Sequence, residues 1–351
     1  MSESIGTIPP FIAAPAPQVI KHMNAARRRA ARPTPREWRR HLALFFITIL
    51  TTTFAGTIYA NNADVPEPQM RAFGASLLDY ITYVPEYYLK LTAVFLAQAI
   101  HSPHLVAQGL MFACALLFIL AAHEAGHYVW CRRYGVDATL PFFIPAPPLF
   151  LAGTFGAFIK IKSPIPSRRA LFDIGTAGPI AGFIALLPVA LFGLWTAQPA
   201  HIADEQLILN DPLLFKFIAR FVGIHDLAHI APNPFYFAAW IGLLVTSLNL
   251  APVGQLDGGH AVYAVFGSRV HKWLGRAAFL CVATLAILGW RWHGSPSGFL
   301  YAVLLAVMLR VRHPQAGDDE TEQIGQTRKW LAVLTLMIFI LSFMPFPLTI
   351  K

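Results

Sequence analysis

The stretch LFILAAHEAGHYVWCRRYG, residues 117 to 135, determines what the rest of the chain must support. It places His123, Glu124 and His127 at the end of an apolar run long enough to enter a bilayer. At about 100° per residue, His127 lies about 40° round from His123 and one turn along, so the two imidazoles can converge on one cation. Glu124 falls beside that pair, poorly placed as a third close ligand but well placed to take a proton from a metal-bound water.

The apolar setting strengthens this interpretation of residues 117 to 135. Ionisable side chains are costly to insert in a spanning segment, so three of them so close together require a compensating partner such as zinc. The alternative is a helix end at which the histidines and the glutamate form hydrogen bonds to neighbouring helices.

The composition identifies the class of protein. Hydrophobic residues make up 56% of the chain, charged residues only 13%, and the mean hydropathy is +0.53. These values predict an all-α polytopic membrane protein with about seven transmembrane helices. The net charge is +9, but the basic residues cluster beside apolar runs as topology signals do, and no nucleic-acid-binding pattern accompanies them. We therefore expect the partners to be the lipid bilayer and membrane proteins, with no nucleic acid.

The three cysteines, Cys114, Cys131 and Cys281, have no paired spacing and predict no disulfide framework. Cys131 lies one turn beyond His127, which leaves a ligating or regulatory thiol as an alternative. A packed or interfacial cysteine is the favoured interpretation.

Composition also divides the chain into segments. We expect a disordered basic cytosolic tail (1–41), a retained signal-anchor helix (42–60), an external or interfacial segment (61–103), a core (104–270), additional membrane helices (271–312), a cytosolic linker (313–328) and a C-terminal membrane helix (329–351). Individual later spans are predicted at 170–195, 235–250, 277–290, 298–309 and 331–348. Basic residues recur at every second crossing, which predicts a cytosolic N-terminus. The bacterial inner membrane is the expected location.

Residues 138–162 fit neither a helix nor an ordinary polar loop. Prolines and glycines break the run, and residues from Phe158 to Lys162 then alternate between apolar and basic. The period of two predicts a short re-entrant strand or hairpin near the metal site, with an exposed edge able to hold an extended substrate segment. A plain cytosolic loop is the alternative.

Glycines punctuate the next predicted span. Gly175, Gly178 and Gly182 lie within about 60° of one another on a helix, so one face carries almost no side chains. We expect another helix to approach closely along this face.

The sequence LNLAPVGQLDGGH, residues 248 to 260, breaks a later membrane helix with proline and glycine. This break could direct Asp257 inward as the third metal ligand, leaving a fourth zinc position open for water. The alternative is that Asp257 caps the following helix. A second sequence with similar spacing, HDLAH at residues 225–229, lies in a polar loop and predicts a surface feature, with adventitious metal binding as its alternative.

Three sequences in order, HEAGH, GTAGPIAGF and NLAPVGQLDGG, resemble the site-2 protease family of intramembrane zinc metallopeptidases. The resemblance covers about residues 105–270, and LPFFIPAPP together with LLVTSLNLAPVGQLDGGH is similar to the plastid and bacterial branch that lacks a PDZ domain. It implies one zinc ion with His123, His127 and Asp257 as ligands. It also implies Glu124 as the catalytic acid/base and a substrate- or hairpin-contacting role for Asn249. The roughly 39 residues from Thr196 to Pro234, between the spans predicted at 170–195 and 235–250, are too few for a PDZ module.

The predicted function is hydrolysis of peptide bonds in or near transmembrane segments of single-span membrane proteins. A zinc-binding membrane scaffold or transporter without hydrolysis is the alternative. A transporter would show further polar residues along several spans, whereas this chain concentrates them around one site.

Overall fold

The computed structural model describes residues 30–60, 77–199, 207–295, 297–311 and 324–350 of the 351-residue chain. The predicted tail up to residue 29, the first part of the external segment and most of the cytosolic linker lie outside the described residues. The described part is mainly helical. Its helices are α1 (Pro35–Ala60), α2 (Leu77–His101), α3 (Pro103–Arg133), α4 (Arg168–Trp195), α5 (Leu213–Val222), α6 (Pro234–Asn249), α7 (Asp257–His293), α8 (Ser297–Arg310) and α9 (Gln326–Ser342).

Four of the described helices, α1, α3, α4 and α7, are long and apolar enough to cross a membrane, and α6 and α8 are shorter apolar helices. The predicted class, a mostly helical polytopic membrane protein, is confirmed. The count of about seven crossings stays a prediction. The segment expected to be interfacial contains α2, which is not among these four helices.

The helix α3 lies at the centre of the fold, packed against α1, α4 and α6. Small residues allow these close approaches. A Cβ added at Gly126 of α3 would lie 2.4 Å from the carbonyl oxygen of Ala177 in α4, and one at Gly109 would lie 2.3 Å from that of Thr53 in α1. Buried Leu116, Leu186 and Leu243 fill the space between α3, α4 and α6. The helix that carries the HEAGH sequence is therefore enclosed by neighbouring helices.

Short strands connect the helices as three two-stranded sheets, and the structure places a hairpin where one was predicted. Strand β1 (Phe142–Pro145) pairs antiparallel with β2 (Thr154–Phe158). Strand β2 ends at Phe158, where the predicted alternation of apolar and basic residues begins. Pairing nevertheless continues, because the amide of Thr139 donates to the carbonyl of Lys160 at 3.0 Å. The hairpin is confirmed, with its strands displaced towards the N-terminus, and the plain loop is wrong.

The other strands join the remaining loops. β3 (Gln198–Pro199) pairs with β5 (Ile230–Ala231), and β4 (Leu207–Leu209) pairs with β6 (Leu348–Ile350), both antiparallel. The β4–β6 pair attaches the end of the chain to the loop that follows α4.

The structure corrects the bounds of two predicted spans. The final span was predicted at 331–348, but α9 begins at Gln326 and ends at Ser342, since Pro345 and Pro347 cannot continue a helix. The span predicted at 277–290 is part of α7, whose only non-helical residue is Gly267, with φ 81° and ψ 179°. The hydrophobic pattern located both helices but not their ends.

An ion pair fastens the start of α9 to α4. The guanidinium of Arg328 donates to both carboxylate oxygens of Asp173, at 2.8 and 2.6 Å, and the hydroxyl of Tyr134 donates to the same carboxylate. Asp173 is buried. Burial raises the pKa of Tyr134 and the Asp173 carboxylate raises it further, so the phenol stays protonated as a donor. The C-terminal helix is thus attached next to Ile174.

Replacing Arg328 by Met should destabilise the protein, because the buried Asp173 carboxylate loses its partner. Removing one member of a buried pair costs about 3 kcal/mol, and replacing both members costs less. We expect Arg328→Met to lower the thermal midpoint in detergent clearly, and Arg328→Met combined with Asp173→Asn to recover part of the loss. Lys329→Met, at the exposed next position, is the control. Equal midpoints for the Arg328 and Lys329 variants would show that the pair does not hold α9 in place.

Candidate metal centre

Three side chains converge on one point. His123 and His127 lie near the end of α3, and Asp257 is the first residue of α7. The Nε2 atoms of His123 and His127 lie 3.1 Å apart, and Oδ2 of Asp257 lies 3.2 Å from the first and 3.3 Å from the second. Both imidazoles are buried. Among the described residues this is the one group of three His, Cys, Asp or Glu side chains able to hold a metal ion. The sequence predicted this group, and the fold brings its members together.

The separations of these donor atoms fit zinc. Ligand atoms about 2.1 Å from a tetrahedral zinc ion lie about 3.4 Å from each other, close to the three distances in the structure. Nδ1 of His127 lies 2.7 Å from the carbonyl oxygen of Ile174. A carbonyl only accepts, so Nδ1 carries the proton and the lone pair of Nε2 would be available to a metal ion, the usual arrangement of a metal-binding histidine. Two imidazoles and a carboxylate also leave one position for water.

The glycine face of α4 makes room for the two imidazoles. A Cβ added at Gly178 would lie 2.0 Å from Nε2 of His127, and one at Gly182 would lie 3.0 Å from Cβ of His123. The predicted close approach of another helix is therefore observed, and that helix is α3. The glycine spacing predicts only close packing, but the position of Gly178 shows that this residue also sets where the His127 ring can lie.

A tight turn between α6 and α7 presents Asp257. Two glycines permit the turn: a Cβ at Gly258 would lie 1.9 Å from the carbonyl oxygen of Leu250, and one at Gly259 would lie 2.5 Å from that of Gly254. The N-cap of α7 is Leu256, and the Asp257 carboxylate faces the imidazoles. The alternative in which Asp257 caps the helix is wrong.

Glu124 lies beside the metal-binding group, buried, and contacts the backbone of Ile159 at the end of the hairpin. Glu124 lines a cavity of about 760 Å³, and the three donor side chains line the same cavity. We call this the metal cavity. The segment following β2 forms one wall, including Ile159, Ile161 and Pro164. A carboxylate, a metal-binding group and space for a peptide therefore share one enclosure.

Asn249 is the last residue of α6 and lines the metal cavity, with its Nδ2 atom 3.4 Å from Nε2 of His123. It lies beside the imidazole. Gln255 and His260, which the sequence analysis did not single out, also line this cavity. Their position next to Asp257 in LNLAPVGQLDGGH was the available signal.

The other candidate ligands lie elsewhere. In the HDLAH segment, Nδ1 of His229 pairs with Asp226 at 2.8 Å and both side chains are exposed, as expected of a surface feature. Cys131 is buried in an apolar cluster with Val136 and Ile174, so it is a packed cysteine. All three cysteines are free.

Comparison with known proteins gives a consistent result. The model of Peptidase family M50 matches residues 111–288. "Probable zinc metalloprotease EGY1, chloroplastic" of Arabidopsis thaliana is 32% identical over 251 residues, 68% of this chain and 43% of that protein. "Probable zinc metalloprotease EGY2, chloroplastic" of the same plant is 27% identical over 263 residues, 72% of this chain and 44% of that protein.

A third relative, "Probable zinc metallopeptidase EGY3, chloroplastic" of Arabidopsis thaliana, is 30% identical over 249 residues, 65% of this chain and 41% of that protein. This chain thus spans less than half the length of these curated relatives. No solved structure matches. The family match covers about half of the chain and includes all the donor side chains and Glu124, so the chain belongs to peptidase family M50, the site-2 protease family.

Proposed function

We propose that this chain is an intramembrane zinc metalloprotease that hydrolyses peptide bonds in or next to the transmembrane segments of single-span membrane proteins. One observation carries the proposal. Two imidazoles from α3 and a carboxylate from α7 lie within 3.3 Å of one another, with Glu124 beside them in a shared cavity. A hydrolytic zinc site needs three protein donors, an open position and a nearby base, and these residues supply the donors and the base.

In this proposal His123, His127 and Asp257 hold the zinc ion. Bound zinc would make a water molecule more acidic and polarise the scissile carbonyl. Glu124 accepts the proton that the attacking water loses and then delivers it to the leaving amide nitrogen. Asn249 has an amide that can donate to a substrate carbonyl from the same side of the cavity as His123. Ile174 keeps the proton of His127 on Nδ1 through its carbonyl.

Substrates must reach the metal cavity in an extended form, because a helix hides the carbonyls that are to be attacked. We therefore propose single-span proteins with helix-weakening residues near the cytosolic side as substrates. The hairpin supports this choice, since the segment after β2 forms a cavity wall and sheet edges can pair with an extended peptide.

Metal removal should abolish activity reversibly. Incubating the detergent-purified protein with a zinc chelator should reduce cleavage of a tagged single-span protein at least about 100-fold, because the water loses its activation. One equivalent of zinc added after removal of the chelator should restore it. Full cleavage by protein shown to be free of metal would contradict the proposed chemistry.

We propose that the chain is embedded with its N-terminus on the cytosolic side. Two basic residues contact the chain around the start of α1: Arg132 at the end of α3 donates to the carbonyl of Ala31, and Lys162 before α4 pairs with Glu37 of α1 at 2.6 Å. Such residues are retained in the cytosol. The domain division given above is proposed likewise, with 104–270 as the protease core. The chloroplast names of the relatives do not support the bacterial inner membrane predicted from the sequence.

A further inference from the structure

A second cavity, of about 610 Å³, is lined by residues from the start of α1 and from the hairpin. We call it the hairpin cavity. Its apolar walls come from Leu44 of α1 and from Phe142, Phe143 and Phe158 of the hairpin. Basic side chains from both elements, Arg40, Lys160 and Lys162, also line it. We propose that this cavity binds an anionic phospholipid, with the headgroup phosphate against the basic residues and the glycerol and upper acyl chains against the aromatic wall.

The charged residues that line the hairpin cavity are mainly basic, which favours binding of an anion. The cavity's single carboxylate, Glu37, already pairs with Lys162 at 2.6 Å. Arg40 and Lys160 make no ion pair with any described residue, and both side chains are exposed. Arg40 lies 5.8 Å above the ring of Phe142. Among the described residues, these two cations thus lack a carboxylate partner, and both line a cavity with apolar walls. A bound anion with an apolar body would match this combination.

The position of the hairpin cavity on α1 favours a lipid over a soluble anion. The first turns of this helix are basic and carry the exposed Trp38, and the apolar run starts at Leu42. Basic residues followed by tryptophan and then an apolar span mark the depth of the lipid headgroups. Phe46 and Leu50, one and two turns further, are exposed, as expected of side chains that face lipid. A phospholipid of the adjacent leaflet can therefore enter without leaving the bilayer.

The same lipid would contact the wall of the metal cavity. Phe158 and Lys160 line both cavities, and Ile159 between them contacts Glu124. The hairpin consists of two strands, and β1 packs against α1. A headgroup held by Lys160 and Arg40 would fix the segment that covers Glu124. The lipid is thus expected to stabilise one position of this wall.

Native mass spectrometry of the full chain in detergent, titrated with dioleoyl phosphatidylglycerol or phosphatidylcholine, tests the proposal. We expect one tightly bound phosphatidylglycerol. The variant with Arg40→Gln and Lys160→Gln should bind it about 25-fold more weakly, since each basic contact contributes about fivefold. Lys160→Arg should bind like the native chain. The variant with Lys272→Gln and Arg276→Gln, which makes the same charge change on exposed positions of α7, is the control.

Several results would overturn the lipid site. They are native-like phosphatidylglycerol binding by the Arg40/Lys160 variant, an equal loss in the α7 control, and preference for phosphatidylcholine. Displacement of the lipid by millimolar inorganic phosphate would show a site for the free anion and would also contradict the proposal. The measurement is a mass and needs no cleavage, so its failure is distinct from a failure of the proposed protease activity.

Discussion

Replacing Glu124 by Gln is expected to reduce cleavage of a tagged single-span protein at least about 1,000-fold while leaving zinc binding unchanged. Gln has nearly the same shape as Glu but cannot accept a proton, and general acid–base groups contribute about 10² to 10⁴ in rate. The three donors proposed to hold zinc do not include Glu124, so the ion should be retained. Cleavage in detergent and in membranes, together with zinc per chain, measures both effects.

The matched control is Glu86→Gln, which removes a carboxylate that pairs with Lys90 on α2, outside the metal cavity. It should cleave like the native chain. Native-like cleavage by the Glu124→Gln variant would remove the proposed acid/base. A different result would favour the transporter, which is the alternative function. In that case both variants would bind zinc normally and cleave nothing, and the protein would move zinc across liposome membranes.

Replacing Gly178 by Ala should weaken zinc binding although no ligand is changed. The added methyl group would lie 2.0 Å from Nε2 of His127, far inside van der Waals contact, so the imidazole must move away from His123 and Asp257. We expect zinc affinity to fall about 10- to 100-fold, as losses of supporting contacts around a metal do, and cleavage to fall with it. Zinc per chain at buffered free zinc is the measurement.

A suitable control for this substitution is Gly325→Ala, where an added Cβ meets no atom within 4 Å and φ is −57°. It should bind zinc like the native chain. Elution as a single species in size-exclusion chromatography distinguishes a moved imidazole from a misfolded variant. A folded Gly178→Ala variant with native zinc affinity would show that α4 does not set the position of His127.

Local spacing explains how much of the site the sequence could predict. His123, Glu124 and His127 follow from helical geometry alone, and Asp257 follows because zinc needs a third donor. The carbonyl of Ile174 and the space above Gly178 could not be predicted, because both depend on how closely α3 and α4 pack. The pattern of small residues indicated a close approach but not which atoms would meet.

Helix ends and strand positions were also harder to predict from the sequence, because they too depend on contacts between distant segments. Hydropathy extended the last helix to residue 348, although Pro345 and Pro347 signalled its end and the following residues instead pair with β4. Alternation located a strand at Phe158 to Lys162, whereas the ladder of β1 and β2 lies just before it. The bond between Arg328 and Asp173 joins segments far apart in sequence and left no local pattern.

The proposed zinc centre requires Asp257 to bind the same ion as His123 and His127. Zinc per chain, measured at buffered free zinc for the native protein and for Asp257→Ala, tests this most directly. We expect one ion in the native chain and at least about 100-fold weaker binding in the variant, while a variant with His225→Ala and His229→Ala stays native-like. One zinc ion bound with native affinity by Asp257→Ala would contradict the proposed centre.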